Sequence, residues 1–371
     1  MNQGLTKPTS QTERSKVARP ALIVSEHIVS EYSIFLERLL VGLAAESVPV
    51  ALVCPPGSDI DYIVPPSVEV IGYPAFDLPF LWRQNRRILV ERLEKFKPTV
   101  LHCLCESKAL LTKRLAHQLD LPYVLTVNSL QRRFGQFSVS RKHCSRIIVP
   151  ADSIAANIAK FHPKFAGRIE RINMGTFTAE TSGCFRETSR LASMVTAHRF
   201  DNTGEFENLV AAVHHLAIEG YEFMLVIIGD GRAEKQLRKL LSAHGLLQIV
   251  TIVPRLGRWR SVLAAGDIFI QPVASDIFNP LLLEAMSVGA AVAGCKGGVD
   301  DLIIDGKTAV LFDPSDELSI YSTLQRLFDR RDFARQLAGK AQEYLRKNYT
   351  VSGMISSILR VYHNAPRRPE R

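Results

Sequence analysis

The sequence predicts an α/β protein built from two consecutive doubly wound domains. Short apolar runs alternate with amphipathic helical segments along most of the 371 residues, and this alternation is typical of parallel sheets that helices cover on both faces. The alternation stops once, in the Ser- and Thr-rich stretch 176–190, which we interpret as a flexible linker, and then restarts. The length fits two domains of ordinary size. We therefore expect two sheets that face each other across a cleft.

The first domain is predicted over residues 21–180. It follows a polar tail rich in Ser, Thr and Gln, residues 1–20, which we expect to be disordered. Its strands are short apolar runs bounded by turn-forming or charged residues. They are predicted at residues 21–24, 48–53, 68–71, 99–104, 123–127, 146–149 and 169–172. Amphipathic helices are predicted at residues 33–46, 81–96 and 108–118.

The second domain is predicted over residues 191–348 and repeats the pattern. Its strands are predicted at residues 194–197, 223–228, 250–253, 268–272 and 291–293. Its helices are predicted at residues 206–217, 233–244, 260–265, 280–288, 316–326 and 332–348. A final helix within residues 349–363 is expected to brace the hinge, which is the connection between the two domains. In such sheets ligands bind beyond the carboxyl ends of the strands, where the strand order reverses, so the cleft is the expected site.

Composition and charge exclude several classes of protein. The chain carries 46 Lys and Arg against 37 Asp and Glu, a net charge of +9. The surplus lies in the two tails and the first half, unlike the concentrated basic face of a nucleic-acid-binding domain. No apolar run approaches the length of a membrane span, and no secretory signal follows Met1. The six cysteines lack the spacing of a metal site or a disulfide framework. We expect a cytoplasmic protein without a metal centre.

Three short motifs in the chain are incomplete. Gly229-Asp230-Gly231 is half of a dinucleotide fingerprint, but Glu234 replaces the third glycine, and a tight turn is the simpler interpretation. The run 306–308, Gly-Lys-Thr, is not a P-loop because Asp301 stands where that loop needs its first glycine. The acidic pair at positions 59 and 61 is interpreted as part of a solvated loop.

The segment 271–312 is the densest in functional signals. A strand ends at Gln271 and a helix begins near Asn279, with Pro at its first position. The N-terminus of a helix offers unpaired N–H groups and a partial positive charge that suit a phosphate. Glu284 lies one turn into this helix and Asp276 eight residues before it, so two carboxylates could bind sugar or ribose hydroxyls there. The alternative is a structural role for Glu284, as a cap or an ion-pair partner.

This segment resembles the signature of the family 4 retaining glycosyltransferases, which have the GT-B fold of two Rossmann-like domains. The family places an acidic residue, a Gly/Phe-rich loop and a helix close in sequence to residues 280–286, Pro-Leu-Leu-Leu-Glu-Ala-Met, at this point. Further matches are the Gly297-Gly298 pair, Asp301, the Asp305-Gly306 pair with Leu311, and the Ile-Ile-Gly-Asp-Gly run at 227–231. The resemblance spans roughly residues 99–362 and is strongest in the second half.

The resemblance implies a role for each matching residue. Glu284 matches the carboxylate that holds the nucleotide ribose, Asp276 the carboxylate that contacts the donor sugar, and Arg199 the arginine that neutralises the diphosphate. These three are the implied catalytic residues. The implied contacts to the base and the phosphates come from Pro254, Arg255, Phe278, Asn279, Pro280 and Leu281. The first domain becomes the acceptor side and the second the nucleotide-sugar-binding side.

Four positions depart from the family pattern. Thr203 stands where the family has a lysine, so one cation near the diphosphate is missing, and Lys296 is a candidate to replace it. Asn128 stands where the family has a histidine. Asp276 is one methylene shorter than the usual Glu, and Ser25 follows the first strand where a glycine-rich loop is common.

The resemblance implies a retaining hexosyltransferase that moves a sugar from a nucleoside diphosphate sugar to an acceptor. It implies no cofactor and no metal, and charge that develops on the departing diphosphate would be met by fixed cations and N–H groups. The acceptor stays open as a glycan, a lipid-linked or a small-molecule hydroxyl, within cell-envelope polysaccharide or glycan biosynthesis. The alternatives are a degenerate relative that binds nucleotide sugar or glycan without turnover, and a sugar-nucleotide epimerase on the same fold.

One basic helix predicts where the protein meets a membrane. Arg83, Arg86 and Arg87 lie beside Phe80 and Trp82, and such a cluster suits anionic lipid headgroups. The expected location is therefore the cytoplasm, with peripheral contact at the inner face of the membrane. A solvated helix face is the alternative, and no nucleic-acid partner is expected.

Overall fold

The computed structural model describes residues 18–60, 62–73, 82–131, 138–187, 189–254 and 259–365. Its first half contains a parallel sheet of seven strands in the order β3-β2-β1-β4-β5-β6-β7. The strands are β1 Pro20–Ile23, β2 Val50–Cys54, β3 Val68–Gly72, β4 Val100–Cys103, β5 Tyr123–Thr126, β6 Cys144–Val149 and β7 Ile169–Arg171. All seven predicted strands are present, because each is a short apolar run that a sheet covered on both faces can bury. The predicted tail over residues 1–20 lies almost entirely outside the described residues.

Five α-helices cover the described part of this sheet. They are α1 Glu26–Glu31, α2 Ser33–Ala45, α3 Trp82–Phe96, α4 Ala109–Leu119 and α5 Asp152–Phe161. The sequence predicted α2, α3 and α4 and missed the other two. Helix α1 has only six residues, too few for a clear period. Helix α5 lacks a capping side chain at Ala151, because its cap comes from the second half of the chain: the Asp301 carboxylate accepts from the backbone N–H groups of Asp152 and Ser153.

The second half contains a parallel sheet of six strands in the order β10-β9-β8-β11-β12-β13. The strands are β8 Ala192–Ala197, β9 Phe223–Ile228, β10 Val250–Val253, β11 Ile268–Ile270, β12 Ala291–Gly294 and β13 Val310–Leu311. The two-residue strand β13 was not predicted, since so short a run has no pattern of its own. The helices are α6 Glu207–Ile218, α7 Glu234–Ala243, α8 Trp259–Ala264, α9 Pro280–Val288, α10 Glu317–Asp329, α11 Arg331–Asn348 and α12 Val351–His363.

Both sheets reverse their strand order at one place, between β1 and β4 in the first half and between β8 and β11 in the second. Each reversal is the switch point at which open α/β sheets bind ligands. Both sheets are parallel throughout, so the loops that follow their strands collect at one edge. The architecture of two doubly wound sheets agrees with the fold class that the sequence predicts.

The stretch 176–190 is more than a flexible linker, which is a correction to its interpretation from sequence. The side chains of Cys184 and Phe185 are buried in the core of the second half. The backbone N–H of Phe185 donates to the buried carboxylate of Asp267 at 2.7 Å. Polar composition predicted a loop correctly, but a few of its residues pack as core and fix its path.

The last helix, α12, returns to the first half and packs against α2. Its Tyr362 hydroxyl lies 2.6 Å from Nδ1 of His102 on β4, and Nε2 of His102 lies 2.8 Å from the Thr126 hydroxyl. The chain passes between the halves near Thr176 and again near Tyr349. At this double crossing, the backbone N–H of Thr176 donates to the Tyr349 carbonyl at 2.7 Å. None of the helices in the described ranges is long and apolar enough to cross a bilayer.

Burial of His102 makes the stability of the protein depend on pH. Burial lowers the pKa of His102 to about 3, whereas an unfolded histidine has a pKa of about 6.5. Between about pH 3 and pH 6.5, the unfolded chain therefore binds a proton at His102 that the folded chain does not bind. This contribution to stability is complete above about pH 6.5 and is lost as the pH falls toward about 3, with a slope of about 1.4 kcal/mol per pH unit for one proton.

We expect His102→Gln to reduce that slope by about one proton, measured by urea denaturation between about pH 6.5 and pH 4.5. The matched control is His363→Gln on the exposed end of α12, which should leave the slope unchanged. Equal slopes in the wild type and His102→Gln would contradict the assignment.

Candidate functional site

The candidate site is the switch point of the second sheet. Strand β8 leads into the loop that carries Arg199, and its neighbour β11 leads into residues 271–279 and helix α9. Both loops therefore emerge at the same edge of the sheet. The chain order thus brings Arg199 and the Asp276 segment to one edge, as the sequence predicts for a site in this cleft.

The loop after β8 is held against the Gly-Asp-Gly turn after β9. The backbone N–H of Phe200 donates to the Asp230 carbonyl at 2.9 Å. A Cβ atom on Gly229 would lie 2.1 Å from the His198 carbonyl oxygen, and one on Gly231, where φ is +151°, would lie 2.4 Å from that of Phe200. Close approach of two backbones explains both glycines, in agreement with the tight-turn interpretation. The Arg199 side chain is half exposed, with Nε 3.3 Å from the Asp201 carboxylate.

The position of the missing cation is a short turn beside Arg199. Thr203 begins the 3₁₀ turn Thr203–Glu205, which Asn202 caps with its side-chain oxygen. Lys296, the candidate replacement, donates to the Ile303 carbonyl at 2.7 Å and lies 3.8 Å from the Asp300 carboxylate. Its ammonium is therefore held by the loop that follows β12.

The N-terminus of helix α9 has internal partners for most of its predicted phosphate donors. The Asn279 side-chain oxygen accepts from the N–H groups of Leu281 and Leu282 at 3.0 and 3.2 Å. Pro280 has no N–H, and the N–H of Phe278 donates to the Asn128 carbonyl at 2.8 Å. A phosphate that binds here would have to displace these acceptors.

The segment around Asp276 is joined to the first half by its backbone. The N–H of Leu130 donates to the Asp276 carbonyl at 2.8 Å, and Ser129 and Ile277 form an isolated antiparallel bridge. The Tyr32 hydroxyl donates to the Phe278 carbonyl at 2.7 Å. The Asp276 side chain itself is exposed. We call this set of contacts the backbone seam.

Glu106 is a site residue that sequence reasoning missed. Its Oε1 accepts from the N–H groups of Asn128 and Ser129 at 2.8 and 3.0 Å and from the Ser129 hydroxyl at 3.0 Å. Burial raises the pKa of this carboxyl. Glu106 thus shapes the loop in which Asn128 replaces the family histidine. The available signal was an acidic residue shortly after a buried strand at the first sheet's switch point.

Glu284 lies in the interior, 1% exposed, with every acceptor position of its carboxylate filled. Oε1 accepts from Arg38 and, at 2.9 Å, from the Thr176 hydroxyl. Oε2 accepts from the second terminal nitrogen of Arg38 at 2.7 Å and from Arg260 at 2.8 Å. A carboxylate offers about four such positions. In this arrangement Glu284 has no lone pair left for a ribose hydroxyl, and ion pairing, one of its two interpretations from sequence, is what the structure contains.

A cavity of about 1060 Å³ opens beside these donors. Helices α2, α8 and α12 and residues 176–178 form its walls, and Arg38, Arg260 and Thr176 lie in its lining. Val41, Tyr62 and Phe177 expose large apolar surfaces in it. The cavity is large enough for a small-molecule ligand, and the donors to Glu284 line it.

The remaining predicted contacts are only partly described. Pro254 is exposed at the end of β10, and Arg255 lies outside the described residues. Phe80 and the Trp82 side chain also lie outside them. Arg83 is exposed, and Arg87 pairs with Glu91 at 3.0 Å on α3. Within the described ranges no three His, Cys, Asp or Glu side chains are grouped so that they could hold a metal ion.

Two Rossmann-like sheets joined by a double crossing, with a loop–helix site at the second switch point, define the GT-B class of glycosyltransferases. The family profile described as Glycosyl transferases group 1 matches residues 187–344, and that described as Glycosyl transferase 4-like domain matches residues 32–164. Together the two matches span most of the chain. The chain belongs to family 4 of the glycosyltransferases.

Curated relatives match over parts of their length. The sulfoquinovosyl transferase SQD2 of Arabidopsis thaliana is 22% identical over 333 residues, which are 80% of this chain and 64% of the relative. The alpha-D-kanosaminyltransferase of Streptomyces kanamyceticus is 27% identical over 159 residues, 42% of this chain and 41% of the relative. The chain thus spans less than two thirds of either relative.

Solved structures share the fold across nearly the whole chain. A glycosyltransferase from Rickettsia africae superposes with a TM-score of 0.75 and 13% identity, covering 94% of this chain and 98% of that one. Anabaena HepE in complex with UDP-glucose superposes with a TM-score of 0.75 and 13% identity, covering 92% and 98%.

The buried network predicts that Glu284→Ala destabilises the protein, whereas the family resemblance by itself predicts only weaker nucleotide binding with the fold intact. Removing Glu284 leaves the buried Arg38 and the half-buried Arg260 without their anion, and breaking a buried pair costs about 3–5 kcal/mol. Urea denaturation should show this loss in the free energy of unfolding.

Asp276→Ala is the matched control, because its exposed side chain should change stability by less than about 0.5 kcal/mol. Similar stabilities for the two variants would refute a structural role for Glu284.

Proposed function

We propose that the protein transfers a sugar from a nucleoside diphosphate sugar to an acceptor hydroxyl, with retention of anomeric configuration. The observation that carries this proposal is the placement of Arg199 and of the Asp276 loop at one switch point of a family 4 chain. The donor would lie at that edge, with its diphosphate near Arg199 and its sugar near Asp276. The first half would supply the acceptor side.

The chemistry asks mainly for stabilisation of the departing diphosphate. A guanidinium binds phosphate oxygens through two parallel N–H donors, and the half-exposed Arg199 is accessible for this. Its partner Asp201 is also about half exposed, so exchanging a carboxylate for a phosphate there is inexpensive. The proposal includes no metal ion, because Arg199 supplies the positive charge that stabilises the departing diphosphate.

Relatives guide the choice of substrates to test. HepE was solved with UDP and with UDP-glucose, so UDP-glucose is the first donor. A relative from an Arthrobacter strain, named D-inositol 3-phosphate glycosyltransferase, is 26% identical over 50% of this chain, so inositol phosphate belongs among the first acceptors. A lipid acceptor belongs beside it, since membrane contact through α3 remains a prediction.

The degenerate, non-transferring alternative is not favoured, because the relatives named above are transferases by name. An assay of the full chain with UDP-glucose and each acceptor should release UDP and form an α-glycoside, identified by its anomeric coupling in NMR spectra. Transfer should persist in excess EDTA. Bound nucleotide without transfer to any acceptor would instead support the alternative, and a β-glycoside would refute retention.

Arg199 and Thr203 give the sharpest test of the diphosphate position. Arg199→Ala should weaken UDP binding about 10- to 150-fold, the value of a charged hydrogen bond, as measured by calorimetry. Thr203→Lys restores the family cation and should raise turnover. Arg238→Ala, an exposed arginine of α7 paired with Glu234, should change neither quantity. Unchanged UDP binding by Arg199→Ala would show that the diphosphate lies elsewhere.

A further inference from the structure

We propose that Arg38 is a positioning residue that competes with the donor's ribose for the carboxylate of Glu284. The inference rests on the proposed function, because it needs a nucleotide whose ribose reaches Glu284. The competitor, Arg38, belongs to the opposite half of the molecule from Glu284. Donor binding and the Arg38–Glu284 ion pair are then mutually exclusive.

Protein hydrogen-bond donors saturate the carboxylate of Glu284. Two of its four acceptor positions are taken by the terminal nitrogens of Arg38, and one each by Thr176 and Arg260. A ribose hydroxyl can donate to Glu284 only after one of these donors leaves. Two parallel N–H donors make the Arg38 contact the strongest of the three.

Arg38 is the hydrogen-bond donor that separates from Glu284. Arg260 lies on α8, which packs against α9. The segment of Thr176 is tied to α9 by the Ala179 N–H, which donates to the Ser287 carbonyl at 2.8 Å. Arg38 lies on α2 of the first half, 246 residues from Glu284 along the chain. A displacement of the halves withdraws Arg38 alone and frees two acceptor positions at once. Withdrawing Arg260 would free only one.

The Arg38 guanidinium has space beside it. Its Nη1 also donates to the Gly175 carbonyl at 3.1 Å, and its guanidinium lies 5.4 Å from the centre of the Phe177 ring. Both partners belong to the hinge, and Arg38 lines the 1060 Å³ cavity. The guanidinium therefore has free volume beside it when it leaves the carboxylate.

The Arg38–Glu284 ion pair lowers the apparent affinity for the nucleotide. A ligand that binds only the state with a free carboxylate has its apparent affinity reduced by the population of that state. Removing the competitor raises that population, so a variant without the Arg38 guanidinium should bind nucleotide more tightly. A residue with a merely structural role would give the opposite sign, since its loss would loosen the site.

The test measures UDP, GDP and ADP binding to the full chain by calorimetry, for the wild type and for Arg38→Met. Methionine keeps the length and apolar character of the stem. We expect the preferred nucleotide to bind about 5- to 150-fold more tightly to Arg38→Met, the usual range of coupling between two sites. Arg190→Met is the matched control, because Arg190 pairs with the buried Asp267 at 2.9 Å within one half, and it should leave affinity unchanged.

Each outcome has a separate meaning. Tighter binding by Arg38→Met but not by Arg190→Met supports the inference, also where the wild type binds too weakly to measure. Equal or weaker binding by a folded Arg38→Met, beside a wild type that binds, overturns the inference and leaves the proposed function standing. Binding of no nucleotide by either protein overturns the proposed function and the inference with it.

A second variant covers a failure of Arg38→Met to fold. Arg38→Lys keeps the buried positive charge but loses the paired donors, so it should fold and tighten nucleotide binding by a smaller factor. Affinity equal to that of the wild type would overturn the inference.

Discussion

The buried ion pair between Glu284 and Arg38 is the constraint on which the arrangement of the two halves depends. Burying a charge costs several kcal/mol unless it is paired and hydrogen-bonded. Arg38 obtains its anion from the other half of the molecule, and Glu284 obtains Arg38 from the other half in addition to Arg260 from its own. The carboxylate on α9 therefore links α2 to the second half, and in this structure all of its partners are protein groups.

Further contacts between the halves follow the same logic. The backbone seam gives the carbonyls of Asp276 and Phe278 partners from the first half, and the Asp301 carboxylate caps helix α5 across the boundary. Buried polar groups need partners, and here the partners come from the opposite half. The Phe278 N–H, the Asp276 carbonyl and the Glu284 carboxylate thus have protein partners, so a ligand that binds to any of them would have to exchange one hydrogen bond for another.

Such exchange suits an enzyme of this class. Groups that are already desolvated and oriented need little reorganisation when a ligand replaces their protein partners. In the proposed mechanism, part of the ligand's binding energy would separate contacts between the halves, which would tie donor binding to their relative position. The half-exposed Arg199 stands apart from this network and is accessible to solvent while the buried contacts are intact.

The sequence by itself determined the two parallel sheets, all of their strands except β13, helix α9 and the placement of Arg199 and Asp276 at one edge. These follow from local periodicity and from the rule that parallel strands end at a common edge. Tertiary structure alone decided what Glu284 contacts, where α5 obtains its cap, and why Glu106 shapes the loop of Asn128. In each case the partner lies far along the chain, in two cases in the other half, and no local pattern records a hydrogen bond to a residue that only folding brings near.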